Sequence, residues 1–515
     1  MFLQKSGVFL HSFLILVFLS TDIISQTPCE NGSASRYPCS GVDLVSRVTP
    51  QTMLAEQSSG SYLSDIWGWT DESTGKEYAV VCLINGTSFV DISDPINPVM
   101  LGILPEHHEA TGRKESRGSG SVWRDVKVFQ NYAYIISEDQ GHGMQVFDMH
   151  QLRDVQDAPV TFSESAHYEG ISSAHNIVIN EETGFAYAVG SFSTTQNCNA
   201  GGLHMIDIND PLNPTYAGCY NAMGYTHDAQ CVIYNGPDTQ YTGREICFNA
   251  NEDDVVIVDV TSKTSPQTIR SVSYNGAFYV HQGWLTEDHK WFISNDELDE
   301  LNTGGVTKTF VWDVSDLDNP SLFGIYNNKS LAIDHNHYVH KGYLFQSNYS
   351  TGLRILDARD IQNNFIKEVA YFDTYIVNNS ANFNGSWSNY PFFESGNVIV
   401  SDRQSGLFVL KPSVLEDENP DPGTITSIDG FPDNAHFGIY PNPALSVVTL
   451  DVRIKNFNPT NASIIDVNGR LIYETKINSG PLDQYTIDLS QLVSGIYQLR
   501  ITDGKSVLSN RLVKI

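Results

Sequence analysis

Residues 257–267 read IVDVTSKTSPQ: an apolar strand ending in Asp259, then a polar turn that reaches Pro266. The same phrase recurs as FVDISDPINPV (89–99), VFDMHQLRDVQDAPV (146–160), MIDINDPLNPT (205–215), VWDVSDLDNPS (311–321) and ILDARDIQNNF (355–365). An apolar strand precedes each phrase (EYAVVCL, AYIISE, FAYAVGS, EICFNA, WFISND, YLFQSN), and another strand-like segment follows most of them. A third type of strand opens each unit: DIWGW, DVKVF, HNIVIN, HDAQCVIY, HQGWL, HNHYV and WSNYPFF. Counting these openings gives seven units of four short strands, each about fifty residues long. A lone four-stranded meander cannot bury both of its faces, so the units must stack, and closing the stack into a ring removes its ends. The repeat predicts an all-β chain with a seven-bladed β-propeller over 42–411.

The seventh unit stops after three strands. VDLVSRV (42–48), which precedes the first unit, is therefore expected to complete blade seven from outside and close the ring. Residues 26–60 form an N-terminal segment that contains this strand. Residues 412–434 are acidic and hold Pro and Gly, as a linker would. Residues 435–515 alternate apolar and polar positions in six strands, as a small β-sandwich does.

Composition limits the function. The 515 residues carry 30 Lys+Arg against 60 Asp+Glu, a net charge of −30. That balance argues against nucleic-acid binding, which needs cationic side chains to displace phosphate counterions, and favours an affinity for cations. Lys5 followed by the apolar run Val8–Leu19 reads as a secretory signal peptide over 1–25, too short to span a bilayer. No later stretch is apolar for long enough to span, so the mature chain is expected outside the membrane, without a transmembrane segment. The seven cysteines suit an oxidising compartment. Cys29 with Cys39, Cys198 with Cys219 and Cys231 with Cys247 are the expected bridges, and Cys82 is left as a free thiol.

The openings of the units carry the candidate chemistry. Ser64, Arg124, His175, His227, His281, His335 and Trp387 occupy equivalent positions, and the four histidines are spaced 52, 54 and 54 residues apart. Asp65, Asp125, Asn176, Asp228, Gln282, Asn336 and Ser388 follow them. Neutral imidazoles projecting toward one axis suit a transition metal, with the polar residues that follow as their orienters. The alternative is structural: each histidine hydrogen-bonds its blade to the next. Loops over the same face carry Glu138, Asp139, Glu252, Asp253, Asp296, Glu297, Asp299, Glu300 and Asp402, an oxygen-rich set suited to Ca²⁺ or merely to solvation. The repeated aspartates (Asp91, Asp148, Asp207, Asp259, Asp313, Asp357) lie at the opposite face, where capping a turn accounts for them. No Gly-x-Ser-x-Gly elbow, His-Glu-x-x-His or phosphate-binding Gly-x-x-x-x-Gly-Lys-Ser/Thr is present.

Two resemblances follow from these motifs. The tail, with IYPNPA, VNGRLIY, SGIYQLRI and RLVKI, resembles the C-terminal sorting domain of the type IX secretion system. That implies a Bacteroidetes-type bacterium, contact with the secretion machinery, and release or attachment at the outer-membrane surface. The body, through YPCSGVDL, WRDVKVF, GHGMQVFD, AHNIVIN, YTHDAQCVIY, DHNHYV and SNYSTGLRILD, resembles the choice-of-anchor B proteins with their LVIVD repeats, over roughly 28–411. The resemblance implies a secreted or surface propeller and no particular reaction. The expected function is therefore extracellular ligand or partner binding, with a metal-dependent oxidoreductase or hydrolase at the histidine mouth as the alternative.

Overall fold

A computed structural model describes residues 26–107, 121–194 and 198–415. In the tail it describes 436–440, 444–453, 460–466, 470–476, 484–502 and 507–514. The expected signal peptide and most of the expected linker lie outside the described residues. The chain forms two units, 1–422 and 423–515.

Among the described residues, the first unit holds one small two-stranded sheet, Ile171–Ser173 with Phe192–Ser193, and a ring of seven sheets. Their innermost strands are Leu63–Asp71, Arg124–Phe129, Asn176–Asn180, Asp228–Ile233, Val280–Leu285, His337–His340 and Ser386–Tyr390. Each lies beside the next, and Ser386–Tyr390 returns to Leu63–Asp71, so the ring is closed. Within blade four the strand order is sequential: 228–233, 245–250, 255–259 and 267–272, each antiparallel to its neighbour.

A strand from ahead of the first blade pairs with the seventh. Val42–Val48 pairs antiparallel with Gly406–Pro412, the third strand of blade seven. Leu44 is fully buried and shares a core with Val398, Val400, Phe408 and Leu410. Burying such a side chain contributes about 1.5–3 kcal/mol. Two arrangements go beyond the sequence reading. Tyr37–Ser40 adds to the outer edge of blade six by pairing with Lys367–Phe372. After Asp148 the chain crosses back, where Val160–Thr161 joins blade one in parallel, before Ala166–Tyr168 completes blade two.

Apolar faces of adjacent blades meet between them. Tyr187, Met205 and Val178 of blade three pack on Cys247, Val256 and Val258 of blade four. Gly218 on the outer strand of blade three permits this approach, since a Cβ there would lie 1.8 Å from the carbonyl oxygen of Lys263. The six repeated aspartates each accept the backbone N–H two residues on, from Ser93, His150, Asn209, Thr261, Ser315 and Arg359. They cap turns, and no site chemistry is needed to explain them. All three expected disulfides form, and Cys82 is a buried free thiol.

The second unit has two sheets, 436–440/447–453/484–488 and 471–476/461–466/495–502/507–514. Val448, Leu450 and Ile487 of the first meet Ile464, Leu499, Ile501 and Leu512 of the second in one core, as a small sandwich requires.

Candidate metal centre at the propeller mouth

Four consecutive blades place His175, His227, His281 and His335 in an arc at one end of the central channel. Neighbouring ring centroids are 4.3, 4.2 and 4.4 Å apart, and Trp387 of blade seven continues the arc 4.8 Å from His335. The channel is plugged below. Trp67 of blade one packs on Tyr338 of blade six, on which Trp284 of blade five also packs, and Phe392 joins all three rings. Blades one and five are not neighbours, so these contacts cross the axis and leave the histidines lining a mouth.

Hydrogen bonds fix the imidazoles. His227 Nδ1 is 2.8 Å from the carbonyl oxygen of His281, and His335 Nδ1 is 2.5 Å from that of Trp387. His175 Nδ1 is 2.5 Å from Glu138 Oε1, which brings together two residues singled out in the sequence. An Nδ1 that donates to a carbonyl leaves its Nε2 lone pair free, the form in which histidine ligates metals. Burial is the main cause that holds His227 and His281 well below the usual imidazole range, and it brings His335 down to about 3. These rings are neutral at any ordinary pH.

One carboxylate faces them. Glu297 Oε1 lies 3.9 Å from His281 Nε2 and 3.6 Å from His335 Nε2. One donor atom from each of the three residues falls within 4.8 Å of the other two, and His281 Nδ1 has no partner. Tyr349 Oη donates to Glu297 Oε1 at 2.9 Å, and burial pushes the Glu297 carboxyl up to about 7. Two neutral imidazoles and one carboxylate make a mixed nitrogen–oxygen set that suits Zn, Fe, Ni or Cu.

Several expected site residues do other work. Asp296 turns away from the mouth: it accepts Tyr274 Oη at 2.5 Å and the N–H groups of Phe278 and Tyr279, each at 2.8 Å. Its neighbour Glu297 is the residue that faces the histidines. The positions following the histidines bind backbone. Asp125 accepts from Ile177 N–H of the next blade, Gln282 accepts from His337 N–H, and Asn176 donates to the His227 carbonyl. Asp228 accepts from Ala229 N–H, and burial pushes it up to about 6. Asn336 is buried, with no partner for its Oδ1. Asp65 and Asp125 share Lys127. His227 and His335 are instead oriented by the carbonyls that accept from them, so Asp125, Asn176 and Gln282 join blades and none of these residues serves as the expected orienter. Arg124 leaves the arc as well: it is buried, with Nη2 2.9 Å from His142 Nε2.

Some residues at the mouth escaped the sequence reading. Tyr225 and Tyr279 stand beside His227, with the Tyr279 ring 5.2 Å from it, and both precede a mouth histidine by two residues. That repeated spacing was a usable signal. Away from the mouth, His107, Glu164 and His167 form a second convergent group, which no repeat marks. A cavity of about 400 Å³ lies elsewhere, lined by Glu77, Pro95, Ser395 and Lys411, and holds none of this chemistry.

Residues 438–515 match the secretion system C-terminal sorting domain. This sorting domain indicates export by the type IX secretion system. The sorting domain directs export to the cell surface or extracellular space. Residues 76–104 match the LVIVD repeat. No curated protein matches the chain. Among solved structures, the β-propeller domain of Cps50 (Swd1) from Myceliophteria thermophila is similar at TM-score 0.43 and 10% identity, over 70% of this chain and 98% of that one. PorZ, a surface component of the type IX secretion system of Porphyromonas gingivalis, is similar at TM-score 0.42 and 13% identity, over 92% of this chain and 64% of that one. Among the described residues no helix is long and apolar enough to cross a membrane.

Proposed function

We propose that this exported propeller binds a small polar extracellular ligand at its histidine mouth, through a divalent transition-metal ion held by His281, His335 and Glu297. The supporting observation is the approach of two imidazole Nε2 atoms, at 3.9 and 3.6 Å, to one carboxylate oxygen. His227 adjoins this set, and Glu138, Tyr225 and Tyr279 supply polar groups around it for a ligand. The plug of aromatic rings below leaves the upper opening as the route of access.

A second reading, a metal-dependent oxidoreductase or hydrolase, is favoured by the same donor set, because three protein ligands would leave a position on the metal open for water or substrate.

Elemental analysis of the purified chain, as isolated and after loading with zinc or iron, tests the metal. One equivalent is expected, lost in the His281→Ala/His335→Ala variant while its circular dichroism remains that of the parent. A chain that stays metal-free after loading, or a variant that retains the metal, overturns the proposal. A screen of the loaded chain against model ester and phenol substrates separates the two readings.

A further inference from the structure

The outer edges of blades one and two meet at a group of side chains that the mouth does not use. His107 follows Val99–Pro105, the fourth strand of blade one, and His167 lies on Ala166–Tyr168, the fourth strand of blade two. Glu164 sits on the crossing segment that leaves blade one at Thr161. One donor atom from each of the three residues falls within 4.8 Å of the other two. His107 Nδ1 is 2.8 Å from Glu164 Oε1, and the two imidazoles stack with centroids 3.6 Å apart and planes 7° from parallel.

The surroundings prepare these side chains as ligands. His167 Nε2 is 2.8 Å from the carbonyl oxygen of His142. A carbonyl only accepts, so Nε2 carries the proton and Nδ1 keeps its lone pair. Gly143 makes room for this bond: its φ is +63°, and a Cβ there would lie 2.7 Å from His167 Nε2. Glu164 Oε2 is buried and has no hydrogen-bond partner among the described residues, which is unfavourable unless a cation faces it.

We infer that His107, Glu164 and His167 form a zinc site that fastens blade one to blade two. Two imidazoles and a carboxylate are a set that zinc accepts in a tetrahedral shell. Two ligands of one tetrahedral zinc ion stand about 3.3 Å apart, close to the spacing of the stacked rings. The ion takes the place of the proton between His107 Nδ1 and Glu164 Oε1, and that proton passes to solvent. The side chains of His107 and Glu164 are 20 and 25% exposed, so water can complete the shell. The crossing segment otherwise joins blade one through a strand of only two residues, Val160–Thr161, and the ion secures it. No ligand is shared with the mouth, so the site stands whether or not the mouth binds metal.

The experiment uses the full chain, stripped of metal and reloaded with zinc. Histidines are carbethoxylated with diethyl pyrocarbonate and mapped by mass spectrometry. Zinc is expected to protect His107 and His167, while protection of His281 and His335 reports the mouth separately. Equal modification of His107 and His167 with and without zinc overturns the site and leaves His107 and Glu164 as a plain ion pair. This arm needs no variant to fold. Zinc should also slow amide exchange over 160–168, and unchanged exchange there overturns the fastening role. By elemental analysis the His107→Ala/Glu164→Gln variant should hold one equivalent fewer than the parent. The parent then holds two in all, and the one counted for the mouth is the one that leaves with His281 and His335. A His107→Ala/Glu164→Gln variant that keeps as much zinc as the parent also overturns the site.

Discussion

The Nδ1 of His227 sits 2.8 Å from the backbone carbonyl oxygen of His281, the residue that holds the same position on the next blade. The contact ties two blades together and, in the same bond, fixes the proton on Nδ1. The structural and the metal-binding readings of the histidine arc are thus compatible: one ring nitrogen joins blades while the other remains available.

This relationship predicts a tautomer. In nitrogen-15 spectra of the chain, His227 and His335 should show protonated Nδ1 and bare Nε2 at neutral pH, because burial keeps both rings neutral. Adding zinc should move the Nε2 resonance of His335 and leave its Nδ1 proton in place. A protonated Nε2 on either ring would contradict the assignment.

Metal affinity should depend on pH through Glu297. Its carboxyl is pushed up to about 7 in the fold, so below that value binding must displace a proton. His335 is held down at about 3 and contributes no proton there. Zinc affinity should therefore rise about tenfold per pH unit up to about pH 7 and then level off. Glu297→Gln should flatten the profile and weaken binding. The linkage on stability has the opposite sign: the raised carboxyl favours the fold below its unfolded value, and that contribution is lost as pH rises through about 7. A melting series with and without zinc measures both effects.

Ring closure should rest on a few residues far from the seventh blade in sequence. Leu44 is fully buried against the third strand of blade seven and its neighbours. Leu44→Ala should lower the unfolding free energy by about 2–5 kcal/mol in urea titration. A loss under about 0.5 kcal/mol, as at a surface position, would mean that the strand closes nothing.

The sequence made the ring legible because its signal is repeated. A strand ending in Asp before a polar turn is local chemistry, and the turns do bond as Asp259 to Thr261 does. The spacing of His227, His281 and His335 likewise follows from blade period alone. Glu297 was not separable from its neighbour Asp296, because which of two adjacent loop carboxylates faces the axis is settled by where Tyr274 and the 278–279 backbone sit. The orienting role expected of Asp125 and Gln282 failed for a related reason. Each reaches a backbone N–H on the following blade, a pairing that depends on the stagger between blades and has no trace in spacing. His107 and His167 stack 3.6 Å apart from segments sixty residues distant, at positions that no repeat marks.

The channel interior offers the sharpest test of how the ring tolerates charge. Lys127 Nζ is 2.6 Å from Asp125 Oδ1 and 3.2 Å from Asp65 Oδ2, and it rests 4.7 Å from the Trp67 ring centroid. Burial raises Asp125 well above the usual carboxyl range, whereas at Asp65 the pull of Lys127 and of hydrogen bonds outweighs burial and the carboxyl ends lower. Lys127→Met would keep the packing on Trp67 and leave two buried acids without their cation. Breaking a buried pair from one side costs about 3–5 kcal/mol, so the variant should unfold correspondingly earlier in urea at neutral pH. Acid should narrow the gap, because protonating the two carboxylates removes the repulsion that the lysine had balanced. Asp65→Asn added to Lys127→Met should recover part of the loss for the same reason. If Lys127→Met matched the parent at neutral pH, or if acid widened the difference, Lys127 would not be the counter-charge that holds this part of the channel together.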